Sequence, residues 1–166
     1  MGLTTPTVAL DRISEVLDYH PESGLFRWKV HLGARRRAGS IAGCVNAAGY
    51  VVISIDGRQF RATRLAWVLT YGRWPSGVVD HIDHDRLNNR ITNLRDVSVS
   101  VNTQNQVRSS IRSRSGLLGV YPSGYRWGAK IVVNGRRTYL GQFDSAQEAH
   151  EAYVAAKRRL HPGCTL

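Results

Sequence analysis

The chain has 166 residues, of which 42% are hydrophobic and 21% charged, so we expect one ordinary folded domain or two small ones. No stretch approaches the ~18 apolar residues of a membrane span. The start of the chain lacks a signal-peptide layout, and Cys44 and Cys164 show no CxxC spacing. These features argue against membrane and disulfide-rich classes and favour a reducing intracellular environment. The net charge of +11 and pI of about 10.5 indicate a nucleic-acid partner.

The first half of the chain predicts a small mixed unit. Apolar residues at 8, 10, 13, 16 and 17 predict a short helix, and the stretch GLFRWKV predicts a strand. Asp56-Gly57, between two β-rich runs, predicts a hairpin, because this pair tolerates the positive φ of a tight turn. The stretch TRLAWVLTYG predicts a helix that ends at Gly72.

The next stretch, VDHIDHD at 79–85, packs three aspartates and two histidines into seven residues. The sequence predicts a strand at the start of this stretch, followed by a polar loop over 86–90 and a second strand over 91–97. A helix capped by Ser98 is predicted to follow. This order places Asp80 and His81 at a strand end and lets Asn102 point back toward them. A carboxylate and an amide oxygen suit Mg²⁺ or Mn²⁺.

The spacing of these residues resembles the HNH endonuclease motif. Asn93 follows His81 by twelve residues, Asn102 follows nine later, and the intervening NNRITNLR resembles phage and intron-encoded homing endonucleases. With the upstream hairpin and helix, the resemblance covers roughly residues 24–106. It implies a ββα-metal module over 78–107. A purely structural polar turn is the alternative reading.

The resemblance also implies a role for each residue. His81 is expected to be the general base, and Asp80 and Asn102 are expected to hold one divalent ion. Asn93 is expected to brace the loop that orients His81. His81 and His84 also have a zinc-like spacing, but no further soft ligands accompany them. We therefore expect His84 and Asp85 to lie in the loop, near phosphate, and the sequence leaves open whether His84 or Asp83 takes part in catalysis.

The last third of the chain holds 10 of the 23 basic and only 3 of the 12 acidic side chains. A basic linker is predicted over 107–115, followed by three strands with a turn at Asn134-Gly135. The stretch SAQEAHEAYVAAKRRL predicts a helix that begins with a capping box of Ser145 and Glu148. Its apolar face is predicted to pack on one side of the sheet.

Residues 116–160, with the pattern YLGQF…EA…AY, resemble the Apetala-two (ethylene-response-factor) DNA-binding domain. Strand alternation turns Trp127, Ala129, Ile131 and Val133 toward the helix and leaves basic and aromatic side chains on the outer face. We expect that face and the linker to contact DNA. The expected DNA-binding residues are Arg126, Lys130, Arg137, Tyr139, Arg108, Arg112 and Arg114.

The expected fold class is α+β: a ββα-metal nuclease module with an N-terminal β-hairpin extension, and a three-stranded antiparallel sheet packed on one helix. The expected domains are a nuclease over 1–106, a linker over 107–115 and a DNA-binding domain over 116–162.

The expected function is site-specific, Mg²⁺- or Mn²⁺-dependent cleavage of double-stranded DNA by a homing-type endonuclease. We expect a monomer or homodimer in the cytoplasm, encoded by a phage or mobile element, with no membrane or protein partner. A catalytically silent DNA-binding regulator and a structure- or RNA-directed nuclease are the alternatives.

Overall fold

The computed structural model of the protein describes residues 8–106 and 113–165. The chain divides into two compact units between Val97 and Ser98. Each unit has its own hydrophobic core. Small antiparallel sheets and short helices make up both, so the architecture is mixed α and β, as expected. Among the described residues, no helix is both long and apolar enough to cross a membrane.

The first unit, as described from residue 8 onward, contains two helices, seven strands and one 3-10 turn. In chain order they are α1 Leu10–Val16, β1 Leu17–His20, β2 Leu25–Trp28, β3 Cys44–Val45, β4 Val51–Ile55, β5 Arg58–Arg61, α2 Ala62–Tyr71, β6 Val78–His81, the 3-10 turn Ile91–Asn93 and β7 Leu94–Val97. These strands form three separate sheets, β1-β2, β3-β4-β5 and β6-β7.

The predicted hairpin and helix of this unit are confirmed. Asp56 and Gly57 take φ values of 47° and 77° between β4 and β5, which is the positive-φ pair of a tight hairpin turn. Gly72 ends α2 in the left-handed conformation, and its N–H bonds to the carbonyl of Val68. Buried Leu65 and Val68 of α2 join Ile53 and Ile55 of β4 in the core. The sheet and helix therefore share one apolar centre.

The second unit contains α3 Val99–Gln104, β8 Val120–Ser123, β9 Arg126–Val133, β10 Arg136–Phe143 and α4 Ala146–Leu160. These strands form an antiparallel sheet in the order β10-β9-β8. Ser145 caps α4 by accepting a hydrogen bond from the Glu148 N–H at 3.1 Å. Ala129 and Ile131 of β9 pack against Ala149, Tyr153 and Ala156 of α4. The predicted division of the sheet into a helix-facing and an outer side is confirmed.

The short helix α3 is held by the C-terminal end of the chain. Ser98 caps it, as predicted, by accepting from the Val101 N–H at 3.3 Å. Just beyond its far end, the buried Lys157 ammonium group donates a hydrogen bond to the Gln106 carbonyl. Gly163 packs against Val101 so closely that an added Cβ would clash with the Val101 carbonyl oxygen. The helix thus packs within the second compact unit, which begins at Ser98.

Candidate active site

The candidate site centres on the antiparallel pair β6-β7, in which Asp80 faces Arg95 and His81 faces Leu94. Burial alternates along β6, so that Val79 and His81 are buried while Val78 and Asp80 are partly exposed. The adjacent Asp80 and His81 side chains therefore differ in burial, and His81 is the more buried of the two.

His81 is buried, with 5% of its surface exposed. Its Nε2 lies 3.3 Å from Oδ1 of Asn89. The Asn89 amide nitrogen donates to the Leu87 carbonyl at 3.1 Å, which fixes the orientation of the amide. Because Oδ1 only accepts, Nε2 must donate, and the neutral imidazole carries its lone pair on Nδ1. Burial lowers the pKa of His81, although the contact with Asn89 and nearby aspartates act to raise it. The ring is therefore neutral near pH 7 and able to accept a proton.

Asn89 is itself held by a distant part of the first unit. The Tyr19 hydroxyl in β1 donates to the Asn89 carbonyl at 2.7 Å. Gly24, in the β1-β2 turn, packs directly against the Asn89 backbone. A side chain at this position would not fit, because its Cβ would lie 2.7 Å from the Asn89 carbonyl carbon. Burial raises the pKa of Tyr19 to about 12, so its hydroxyl stays protonated in neutral solution. Asn89 was not predicted as a site residue; the available signal was its place in NNR, eight residues after His81.

Asn93 stabilises the loop between β6 and β7. Its side-chain nitrogen donates to Asp83 Oδ1 at 2.8 Å and to the Asn88 carbonyl at 2.9 Å. Its Oδ1 accepts from the Asp83 N–H at 3.1 Å. Burial acts to raise the pKa of Asp83, but hydrogen bonds from Asn88, Asp85 and Asn93 outweigh it and lower that pKa. Asn93 thus contacts the loop, whereas Asn89 contacts the imidazole.

Asp80 forms an ion pair across the two strands. Its Oδ2 accepts from Arg95 Nη2 at 2.9 Å and from Arg95 Nε at 3.1 Å. Both side chains are largely buried, with 13% of Asp80 and 23% of Arg95 exposed. The carboxylate predicted to bind a metal therefore has a guanidinium on one oxygen.

Asn102 lies in α3, in the second compact unit, and its backbone N–H donates to the Ser98 carbonyl at 3.0 Å. Its assignment as a metal ligand stays a prediction.

His84 and Asp85 lie in the loop after β6. His84 takes a φ of 66°, which is unusual for a residue other than glycine. Asp85 Oδ1 accepts from the Leu87 N–H at 2.9 Å. Within residues 8–106 and 113–165, no group of three or more His, Cys, Asp or Glu side chains forms a ready metal cage. The described residues therefore give no support to a zinc site at His81 and His84.

The residues predicted to bind DNA lie mostly on the outer face of the second unit's sheet. Tyr139 pairs with Lys130 and Arg137 pairs with Val132, so their side chains share one face. Lys130 Nζ lies 4.4 Å from the centroid of the Tyr121 ring. Arg126 lies at the edge of this face and pairs with Asp144 at 2.9 Å. Arg114 is exposed, while Arg108 and Arg112 lie outside the described residues.

Comparison with known proteins bears on the segment around His81. Residues 61–104 match the HNH endonuclease family, a range that contains β6, β7, the loop between them and α3. Over 108 residues the chain is 32% identical to an uncharacterized HNH endonuclease of Acanthamoeba polyphaga mimivirus. That alignment covers 64% of this chain and 55% of the relative, so the chain spans about half the length of the curated relative it matches. No solved structure gives a significant match.

These matches show that residues 61–104 are similar to HNH endonucleases, and they support the prediction of a nuclease enzyme. Neither match is to an Apetala-two domain, so that resemblance stays a prediction.

Proposed function

We propose that the protein is a site-specific, divalent-metal-dependent DNA endonuclease of the homing type, encoded by a phage or mobile element and active in the host cytoplasm. The observation that carries the proposal is the buried His81, held through Nε2 by Asn89 within a segment that matches the HNH endonuclease family. A fixed imidazole with a lowered pKa has the properties of a general base at neutral pH.

In this proposal His81 Nδ1 takes a proton from a water molecule as its oxygen attacks the scissile phosphorus. A P–O bond to the water oxygen forms, the bond from phosphorus to the 3′ oxygen breaks, and that oxygen takes a proton from solvent. The side-chain carbonyl of Asn89 stabilises the imidazolium that results, since its contact with Nε2 favours the protonated ring. Because burial disfavours the charged ring, the imidazolium releases its proton to solvent after the step.

The donor set suits a hard cation, because an aspartate carboxylate and an asparagine amide offer only oxygen ligands. Mg²⁺ commonly binds one or two protein oxygens and completes its shell with phosphate and water, so it needs no preformed cage. A divalent ion bound through Asp80 and Asn102, as the resemblance implies, would supply Lewis-acid stabilisation of charge on the phosphate and the leaving oxygen.

The second unit is proposed as the DNA reader. Arg126, Lys130, Arg137 and Tyr139 present cationic and aromatic groups on a three-stranded sheet. A ribbon of strands can enter the major groove, where arginine recognises guanine edges. The resemblance to Apetala-two domains supports the same assignment.

The ion pair between Asp80 and Arg95 favours one competing function, a DNA-binding regulator without catalysis. In that case Arg95 neutralises the carboxylate permanently and no cation binds there. The experiment that separates the two compares supercoiled plasmid incubated with Mg²⁺, with Mn²⁺ and with EDTA. Cleavage with either metal and none with EDTA is expected. Binding without any cleavage would support the regulator.

Mapping the cleaved ends on phage or host DNA tests the site preference. A homing-type enzyme is expected to give one or a few defined ends. Cleavage of duplex DNA, branched DNA and RNA by the same preparation identifies the substrate. A structure-directed nuclease would prefer branched DNA, and an RNA-directed nuclease would prefer RNA.

A further inference from the structure

A pair of arginines lies on one aromatic ring in the first unit. The guanidinium carbon of Arg61 lies 4.3 Å from the centroid of the Tyr50 ring, and that of Arg86 lies 4.7 Å from it. Both distances are within the ~6 Å typical of cation–π contacts. Arg61 ends β5, and Arg86 lies in the loop after β6, so two separate segments bring positive charge to one ring.

The ring and one arginine are positioned by hydrogen bonds. Asn46 Oδ1 accepts from the N–H groups of Ala48 and Tyr50, each at 3.0 Å, and fixes the turn before β4. Arg86 Nη1 donates to the Ala48 carbonyl of the same turn at 2.7 Å. Tyr50 therefore enters β4 from an ordered turn, and Arg86 is tied to that turn as well as to the ring.

Neither arginine has an acidic partner among the described residues. The ion pairs there involve Arg12, Arg95 and Arg126. Arg61 and Arg86 are both exposed. Two ordered guanidiniums with no carboxylate to neutralise them create a local positive potential that attracts an anion.

This cluster of Tyr50, Arg61 and Arg86 lies beside the proposed base. The ring centroids of Tyr50 and His81 are 6.2 Å apart. The ring that carries both guanidiniums is therefore also a neighbour of the proposed base. A DNA strand bound with its scissile phosphate at His81 would bring a neighbouring phosphate toward this cluster.

We propose that Arg61 and Arg86 form a phosphate-binding site for the DNA backbone next to the scissile bond, with Tyr50 as the platform that holds them. The inference deepens the proposed function and rests on it. Arginine suits this role because its planar fork gives two parallel hydrogen bonds to phosphate oxygens while its face stays on the ring.

The test measures DNA affinity of the full chain for a short duplex, in EDTA, over a range of salt concentrations. Arg61→Gln, Arg86→Gln and the double variant are compared with Arg58→Gln, which removes one exposed charge from the same strand β5. For the arginine variants, the slope of log K against log salt concentration is expected to become less steep. The change should be about 0.9 for each phosphate that the variant no longer neutralises. Arg58→Gln is expected to leave the slope unchanged.

Two variants of Tyr50 test the platform. Tyr50→Phe keeps the aromatic face and is expected to retain the wild-type salt slope. Tyr50→Leu removes the face and is expected to lower the slope toward that of the arginine variants, while circular dichroism reports whether the fold is kept. If Tyr50→Leu unfolds the chain, the comparison of the arginine variants with Arg58→Gln still decides.

The inference is overturned if the double variant keeps the wild-type slope, or if Arg58→Gln lowers it equally. Because the assay needs no cleavage, its result is separate from that of the plasmid experiment. A chain that never cleaves DNA but shows a weaker salt dependence in the double variant would refute the proposed function and keep the phosphate site.

Discussion

The imidazole of His81 and the side-chain amide of Asn89 form a buried pair, with 3.3 Å between Nε2 and Oδ1. The pair determines which ring nitrogen can accept a proton, and it opposes the lowering of the His81 pKa by burial. Asn89 is therefore a positioning residue, and its substitution should change both the rate and the pH dependence of cleavage.

Asn89→Leu is expected to lower the cleavage rate and to shift the acid limb of kcat/KM to lower pH, because leucine offers no oxygen to favour the protonated ring. Asn89→Asp places a negative charge at the same position and is expected to shift that limb to higher pH. The measurement is a pH–rate profile of the three proteins. Identical acid limbs would show that Asn89 does not act on the imidazole.

The lowered pKa of His81 also predicts how stability depends on pH. The unfolded chain, with a histidine pKa of about 6.5, binds a proton more readily than the folded protein. This group therefore lowers the free energy of unfolding as the pH falls from about 6.5 toward the folded-state pKa. Urea unfolding of the wild type and of His81→Gln across pH 5–7 checks this. A stability difference between the two that does not change with pH would contradict it.

Tyr19→Phe removes the hydroxyl that donates to the Asn89 carbonyl. We expect the free energy of unfolding to fall by about 0.5–1.5 kcal/mol, the usual contribution of one hydrogen bond. The cleavage rate should also fall while DNA affinity stays constant, since the hydroxyl holds the residue that orients His81. Tyr71→Phe, at an exposed tyrosine of α2, is the control. A loss of stability with no change in the cleavage rate would show that Tyr19 supports the fold and does not help to position His81.

Arg95 competes with any cation for the Asp80 carboxylate. Arg95→Gln removes this positive charge, so the Mg²⁺ concentration that gives half of the maximal rate should fall. Calorimetric titration of the protein with Mg²⁺ gives a second measure that needs no cleavage. Arg90→Gln, at an exposed arginine of the preceding loop, controls for net charge. A higher half-saturating concentration in Arg95→Gln would mean that the ion pair prepares Asp80 for the metal.

Arg137→Ala tests the outer sheet face as a reader. If Arg137 meets a guanine edge, affinity for the preferred site should fall by about 1–3 kcal/mol, and the preference should relax at one base pair. Arg159→Ala, at an exposed arginine of α4, is the matched control. Equal weakening on all sequences would assign Arg137 to the phosphate backbone and contradict base reading.

Features that depend on local chemistry were predictable from the sequence. Asp56-Gly57 predicted its turn because few other pairs accept two positive φ values in succession. Ser145 predicted the start of α4 because its hydroxyl satisfies an N–H group that the helix leaves unpaired. Alternation along β9 likewise separated the helix-facing residues from the outer ones.

Contacts between distant segments were not predictable. Tyr19 reaches the Asn89 carbonyl across 70 residues, and no periodicity or turn signal links the two. The ion pair of Asp80 with Arg95 follows from the register of β6 and β7, which the motif spacing does not fix. The packing of α3 on the C-terminal segment depends on the buried Lys157 and on Gly163, residues outside the HNH-like motif.

The most direct test of the account is single-turnover cleavage of a mapped DNA site by His81→Ala at saturating protein and Mg²⁺. Binding of the same duplex in EDTA is measured alongside, and His31→Ala, at an exposed histidine of the same unit, is the control. His81→Ala is expected to lose ~10²–10⁴-fold in cleavage rate and to keep the wild-type affinity for DNA. His31→Ala is expected to keep both the wild-type rate and the wild-type affinity. Wild-type cleavage by His81→Ala would contradict the assignment of His81 as the base.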